Sequence, residues 1–523
     1  MQTTLLSWLS TVWLGVAVLV GGCLSADQIE LVIISTEPIA GAPSPQVLRV
    51  QIFDTATGEQ VVAQTVDSAD GPLAGLGMLR EGAQYVLTLE ALFDAGTCAD
   101  DRAVGVSTPF VHQTENYSIP IQIGCADEFG RTLSQPKEAR LAAGLETAAD
   151  GTVVLAGGVP RFELREPGQV ANVVELVERY HPFAGGFIES GTMLTARAFP
   201  ALQAVPEGGI AVFGGVLAGS PPCEATIELI VGSASTAKSS LSQRRCFADV
   251  ALLPNVGRIV VGGGSDTPAV RTSDFEAYDV EVELQTESEI EGLVYRSAPR
   301  FVALGNGVTM LAVGGVGATA GRPIVEAVHY GDGCPGNEAP CVFPIPAPGL
   351  DQRGLTSMAA AHTECPTGGG TVYITGGISG SGDSSRALDQ ILCVREEENV
   401  SDLRLVRAGT LPEPRARHEM VVVRGPSPRL LIVGGGQATS ITDNLLEDAL
   451  LVPIDPCACV EGSPQVLERI PLPFTGSAVL HQLAPLPDGS VLLVGGARIF
   501  NDDGEPIRYE ALGEAALFVP EIN

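Results

Sequence analysis

Val153-Val154-Leu155-Ala156-Gly157-Gly158 is the stretch on which the reading of this chain depends. Four apolar residues run straight into a glycine pair, and the arrangement recurs six times. Ile210–Phe213 leads into Gly214-Gly215, Ile259–Val261 into Gly262-Gly263, and Met310–Val313 into Gly314-Gly315. Val372–Thr375 precedes Gly376-Gly377, Leu430–Val433 precedes Gly434-Gly435, and Val491–Val494 precedes Gly495-Gly496. Successive first glycines stand 48 to 62 residues apart. A short apolar run closed by glycine reads as a buried strand. A period near fifty residues, with several such strands per unit, is the sign of a β-propeller. Glycine belongs at the strand end because a side chain there would meet neighbouring backbone, and because the turn needs φ values closed to other residues.

Working outward, each unit offers a first strand, a turn, the strand ending in Gly-Gly, a loop, then third and fourth strands. Third strands are expected at Val173–Glu178, Thr226–Val231, Phe275–Val280, Ile324–Tyr330, Asp389–Val394, Ala449–Ile454 and Ala515–Val519. The clearest unit junction is Leu405-Val406-Arg407-Ala408-Gly409-Thr410-Leu411-Pro412-Glu413-Pro414-Arg415-Ala416-Arg417-His418, followed by Met420–Val423. Its fourth strand, Leu-Pro turn and Arg-x-x-His resemble the kelch repeat, a family related in fold to the central domain of galactose oxidase. The resemblance covers about three quarters of the chain and implies a seven-bladed kelch-like propeller over residues 127–523. The sequence departs from the family where kelch units carry a Trp between blades. Both tryptophans, Trp8 and Trp13, lie in the N-terminal apolar segment, so smaller side chains must fill those contacts.

The seventh unit ends after its third strand, Ala515–Val519, near Asn523. Glu128–Arg140 stands just before the first unit, where a fourth strand would lie. This segment is expected to complete the last blade and close the ring, removing two open sheet edges. Ahead of it, residues 23–126 contain alternating runs at Ile29–Ser35, Val47–Phe53, Gln60–Val66, Tyr85–Phe93, Ala103–Phe110 and Tyr117–Ile123. Turn signals separate them, so the expectation is a small antiparallel β-sandwich that acts as a spacer. Leu79–Leu87 resembles the strand-turn-strand of immunoglobulin-like modules, which implies an immunoglobulin-like β-sandwich. The fold class is therefore all-β.

Residues 1–22 read as a signal peptide. Leu5–Val20 is apolar, and no charged side chain occurs before Asp27. The run is short for a membrane span but suits a secretory core. Val20-Gly21-Gly22-Cys23 resembles a bacterial lipobox, which implies lipidation at Cys23 and, with Leu24 next, sorting to the outer membrane. An ordinary signal peptide cleaved after Gly22 or Ala26 is the alternative. Eleven cysteines less Cys23 leave ten, an even number suited to an oxidising compartment. Sequence-local pairing suggests Cys98–Cys125, Cys223–Cys246, Cys334–Cys341 and Cys365–Cys393, leaving Cys457 and Cys459. No CxxC supports a zinc site.

The net charge of −32, with two lysines in the chain, repels nucleic acid and anionic surfaces. Catalytic constellations were sought in turn. Galactose oxidase-like chemistry would need tyrosines and histidines around copper, and the pairs Tyr180-His181 and His329-Tyr330 fall in or after third strands instead. His362, His418 and His481 open three consecutive blades and are weak candidates to converge on a metal in the central channel. Asn501–Glu505 and Gly264-Ser265-Asp266 are acidic turns without alternating calcium ligands. No nucleophile elbow, HExxH or phosphate loop occurs. The expectation is a non-enzymatic binding or scaffold lipoprotein without cofactor, whose partners are other envelope or extracellular proteins, or glycans. The alternative is an enzyme acting on a carbohydrate or small molecule at the central channel, with a metal as an option.

Overall fold

The computed structural model describes residues 29–522 apart from short internal stretches, the longest being 67–78, 164–171 and 265–273. The signal segment, Cys23 and the acidic turn at 501–505 lie outside the described residues. From Gly144 onward the chain forms a ring of seven four-stranded antiparallel sheets. Their first strands are Gly144–Thr147, Ala201–Ala204, Asp249–Leu253, Arg300–Ala303, Ala359–Glu364, Glu419–Val423 and His481–Pro485. The seven strands beside them are the apolar runs that end at the glycines, and most of their residues are fully buried.

Ring closure follows from the chain ends. Glu128–Arg131 pairs antiparallel with Ala516–Val519 and supplies the fourth strand of the seventh blade. Phe129 packs on Phe518, with ring centroids 5.2 Å apart. Residues beyond Arg131 leave the sheet and run to the first blade, so the closing strand is shorter than Glu128–Arg140.

The apolar core is divided among the blades. One cluster lies between blades one and two, including Val154, Val212 and Ile230. The equivalent cluster between blades seven and one holds Leu155, Leu492 and Leu517. Five further clusters fill the remaining gaps. Tryptophan is replaced at these contacts by smaller rings, such as Phe213 against Tyr278 at 5.8 Å and Phe275 against Phe301 at 5.7 Å.

The N-terminal strands follow one hydrogen-bonded order, in which Ile29–Ser35 lies parallel to Tyr117–Cys125. The alternating burial along Gln84–Leu92 turns Tyr85, Leu87, Leu89 and Ala91 onto a separate apolar cluster. This sheet is fastened to the ring. Arg429 makes two hydrogen bonds to Asp127, at 2.5 and 2.7 Å, and Arg102 meets Glu521 at 2.6 Å.

Five disulfides bind the molecule. Cys98–Cys125 lies in the N-terminal sheet, Cys223–Cys246 in blade two, and Cys334–Cys341 in blade four. The expected Cys365–Cys393 bridge is not formed. Cys365 pairs with Cys457 and Cys393 with Cys459. Cys365 follows the first strand of blade five, whereas Cys393 lies within the third strand, opposite Tyr373. The loop after the third strand of blade six folds back over blade five. Tyr373 Oη donates to the Asp455 carbonyl at 2.9 Å, which brings both loop cysteines to their partners. Sequence proximity misled here because adjacent blades touch along their whole height.

Candidate functional site in the central channel

The glycine pairs explain how the channel wall is built. Gly157, Gly214, Gly376 and Gly495 have φ between 55° and 73°, and their following glycines between 96° and 115°. A Cβ on Gly157 would strike the Arg197 carbonyl of the next blade, and the N–H of Gly158 donates to that same carbonyl at 2.9 Å. In blade three the register moves by one. Gly262 remains in the strand, and Gly263-Gly264 takes the left-handed turn.

The arginines on which these glycines rest form a set that sequence reading missed. Arg140, Arg197, Arg245, Arg296 and Arg415 are at most 3% exposed. Each is bound to an acidic residue on the third strand of the blade that follows it in the chain: Glu178, Glu228, Glu276, Glu326 and Asp448 respectively. Four of them also donate to a glycine carbonyl at the end of the second strand, as Arg245 does to Gly263 at 2.8 Å. The planar guanidinium suits several acceptors at once. The signal was present: each arginine precedes its glycine pair by 17 to 19 residues. The same pairing explains why the first blade's third strand runs Leu176–His181, beyond the expected Val173–Glu178. Glu178 looked like a strand end, but Arg140 neutralises it within the sheet.

Two residues after each arginine stands a non-glycine residue with positive φ: Ala142, Phe199, Phe247, Ala298 and Arg417. Ser357 and Leu480 take the same place in blades five and seven, and all lie at 49° to 59°. Such backbone is costly and persists only where its surroundings enforce it. The enforcement is visible. The N–H of Phe199 donates to Ala142 at 2.7 Å, that of Ala298 to Phe247 at 3.0 Å, and that of Arg417 to Ser357 at 2.9 Å. These inter-blade bonds form part of a ring at one end of the channel. Phe199 and Phe247 stack edge to face, and the cluster containing them includes Tyr509 from the strand Arg508–Ala511.

Within this wall lies a cavity of about 600 Å³. Glu146, Asp249, Arg300, Glu419 and Gln482 line it. Arg300 of blade four reaches past the small side chains of blade five to pair with Glu419 of blade six. Asp249 accepts from the Phe301 N–H at 2.7 Å, and Glu146 from the Ala204 N–H at 3.3 Å. Both carboxylates thereby satisfy the open backbone edge of the following blade. Desolvation raises the Glu146 carboxyl to about 7, and the charge of Asp249 adds to the rise. Burial likewise raises Asp249 to about 6, against the lowering influence of Arg300. The arrangement therefore holds carboxyl groups that can exchange protons near neutrality, beside a fixed guanidinium.

The three candidate histidines do not converge. His418 and His481 line the cavity and are 1% exposed. His418 Nε2 is 2.7 Å from Thr375 Oγ1, and burial, then Arg415, lowers the imidazole to about 3. His362 pairs across from Val372, whereas His481 pairs across from Gly495. His362 is therefore displaced along its strand, and its Nε2 lies 3.6 Å from Glu396. Met358 takes the position in blade five that His418 holds in blade six. Among the described residues, no group of three or more His, Cys, Asp or Glu is placed to hold a metal ion.

No protein-family model matches the sequence, and no curated protein matches it. Solved structures do. A fungal alcohol oxidase of the AA5 family, in complex with copper, aligns over 76% of each chain with 14% identity and a TM-score of 0.53. A structure described as YjhT aligns over 64% of this chain and 99% of its own, with 12% identity and a TM-score of 0.42. The fold is a seven-bladed β-propeller of the kind found in the AA5 alcohol oxidase. The expectation of a non-enzymatic protein, drawn from the lack of a catalytic constellation, is overturned, because an alcohol oxidase shares the fold. The channel residues do not fit a copper centre of tyrosines and histidines. Tyr180 and His329 are buried on third strands, where Gln122 and Thr309 engage them, and among the described residues no tyrosine or cysteine lines the cavity.

Proposed function

We propose that this chain is an exported protein, lipid-anchored at Cys23 to the outer membrane, whose channel takes up a small polar molecule of sugar-like size. The carrying observation is the 600 Å³ cavity in which Asp249 and Glu419 surround Arg300 and Glu146 lies near Asp249. Both signs of charge within one cavity suit a ligand rich in hydroxyl groups. Export is supported by five disulfides among the ten cysteines that follow Cys23.

Saturation-transfer NMR with a panel of monosaccharides and linear polyols tests the channel reading. At least one member binds the native protein, and its signal is lost in both Arg300→Ala and Asp249→Asn. No binding, or binding that survives both substitutions, refutes the reading. Labelling with palmitate, lost in Cys23→Ser, checks the anchor separately.

A further inference from the structure

A second cavity, of about 220 Å³, lies between the N-terminal sheet and the ring. The sheet contributes Val106, Thr108, Pro120 and Gln122, and the propeller contributes Phe183 and turns from blades one and seven. Those turns share a sequence, Asp150-Gly151-Thr152 and Asp488-Gly489-Ser490. In each, one aspartate oxygen accepts the backbone N–H and hydroxyl of the residue two positions on.

The two aspartates then differ. Asp150 Oδ2 faces Arg179 at 3.6 Å. Asp488 has no cationic partner among the described residues, and both bonds from Ser490 fall on its Oδ1. Burial pushes its carboxyl above the ordinary value. Gln122 adds a second unmet acceptor. It is 5% exposed, its Nε2 donates to Tyr180 Oη at 2.6 Å, and its Oε1 has no hydrogen-bond partner.

The remaining polar capacity of this cavity is therefore mostly for accepting hydrogen bonds, while its walls are proline, valine and phenylalanine. A buried acceptor without a donor is costly, and the half-buried Asp488 carboxylate beside it has no cation among the described residues. We propose that the domain junction is a second binding site, selective for a small organic ammonium ion with an apolar body. The ammonium group sits between Asp488 Oδ2 and Gln122 Oε1, and the apolar body lies against Pro120, Pro182 and Phe183. Domain junctions are favoured places for such sites, and an aromatic face adds attraction for a cation.

Calorimetric titration of the full-length protein with benzylamine and benzyl alcohol tests this. The two probes match in shape and differ in charge. Benzylamine is expected to bind at least tenfold more tightly than the alcohol. Asp488→Asn, which keeps the acceptor for Ser490, weakens benzylamine at least tenfold, and Thr108→Trp blocks it by filling the cavity. Arg300→Ala, in the channel, leaves benzylamine affinity unchanged, so failure at one site is distinguishable from failure at the other. Absence of benzylamine binding, equal affinity for both probes, or binding indifferent to Asp488→Asn and Thr108→Trp overturns the proposal. Melting temperatures of the variants verify that they are folded.

Discussion

Replacing Arg197 by Met would remove the centre of the second blade's polar latch. Its guanidinium donates to the carbonyls of Thr195 at 3.2 Å, Gly214 at 3.1 Å and Thr226 at 3.0 Å, and pairs with Glu228. Both partners are fully buried. Glu228 also accepts from the N–H groups of Leu194 and Thr195 and from the Ser235 hydroxyl. After substitution, these three neutral donors face an uncompensated buried carboxylate. Breaking one partner of such a pair costs about 3–5 kcal/mol, whereas the exposed pair Arg49–Glu90 should contribute no more than about 1 kcal/mol.

A ring of seven blades with an added sheet need not unfold in one step, so local stability is the appropriate measure. Amide hydrogen exchange in Ile210–Phe213 and Glu224–Val231 should accelerate by roughly 10²–10⁴-fold in Arg197→Met. Arg49→Ala leaves the same peptides unchanged. Adding Glu228→Gln neutralises the orphaned charge while retaining an acceptor, and should recover at least about 1 kcal/mol in a double-mutant cycle. An acceleration below tenfold, or no recovery in the double variant, would show that the latch does not hold the blade.

The closing strand and the channel wall supply two further predictions. Gly130→Val places a side chain against Thr36 Oγ1 and the Glu37 carbonyl, so the strand must move off Ala516–Val519. A loss of about 1–3 kcal/mol is expected, with new protease cleavage near 515–519; an unchanged melting temperature and cleavage pattern would refute closure by this strand. Between its ordinary 6.5 and the buried value of about 3, His418 takes up a proton in the unfolded chain alone, so its contribution to stability falls as pH drops below 6.5. Glu146, raised to about 7, acts oppositely: the folded state holds its proton more firmly, and stability falls as pH rises from about 4.5 to 7. Melting temperatures from pH 4 to 8 should show His418→Asn flattening the acid limb and Glu146→Gln the neutral one. An acid limb of unchanged slope in His418→Asn would contradict this assignment.

The repeat was legible because its cause is local. A buried strand must be apolar, and a left-handed turn against a neighbouring carbonyl must be glycine, so both appear as contiguous letters. The closing strand was legible by subtraction, since the last unit lacked one strand and the first had one to spare. The candidate site was largely hidden. Asp249, Arg300 and Glu419 share one place, four residues after Arg245, Arg296 and Arg415. Gly144, Ala201 and Ala359 fill that place in other blades and Glu146 lies two residues further on, so the repeat does not mark them as a charged set. The histidines failed for a related reason. They share a place near the start of a strand in sequence, but turns of different length displace His362 along its blade. Charge also misled: Arg197 and Glu228 look like surface residues until their blade puts them opposite each other.

Letters in contiguous runs were enough for the number of blades, the position of their second strands and the chain segment that closes the ring. Each depends on contacts between residues close in sequence or on counting units. The three-dimensional arrangement alone set the Cys365–Cys457 and Cys393–Cys459 crossings, the neutral His418 and the raised carboxyls of the channel. Those properties come from which blades meet and how much water remains between them. Desolvation and charge proximity act through space, and a linear chain carries no record of that distance.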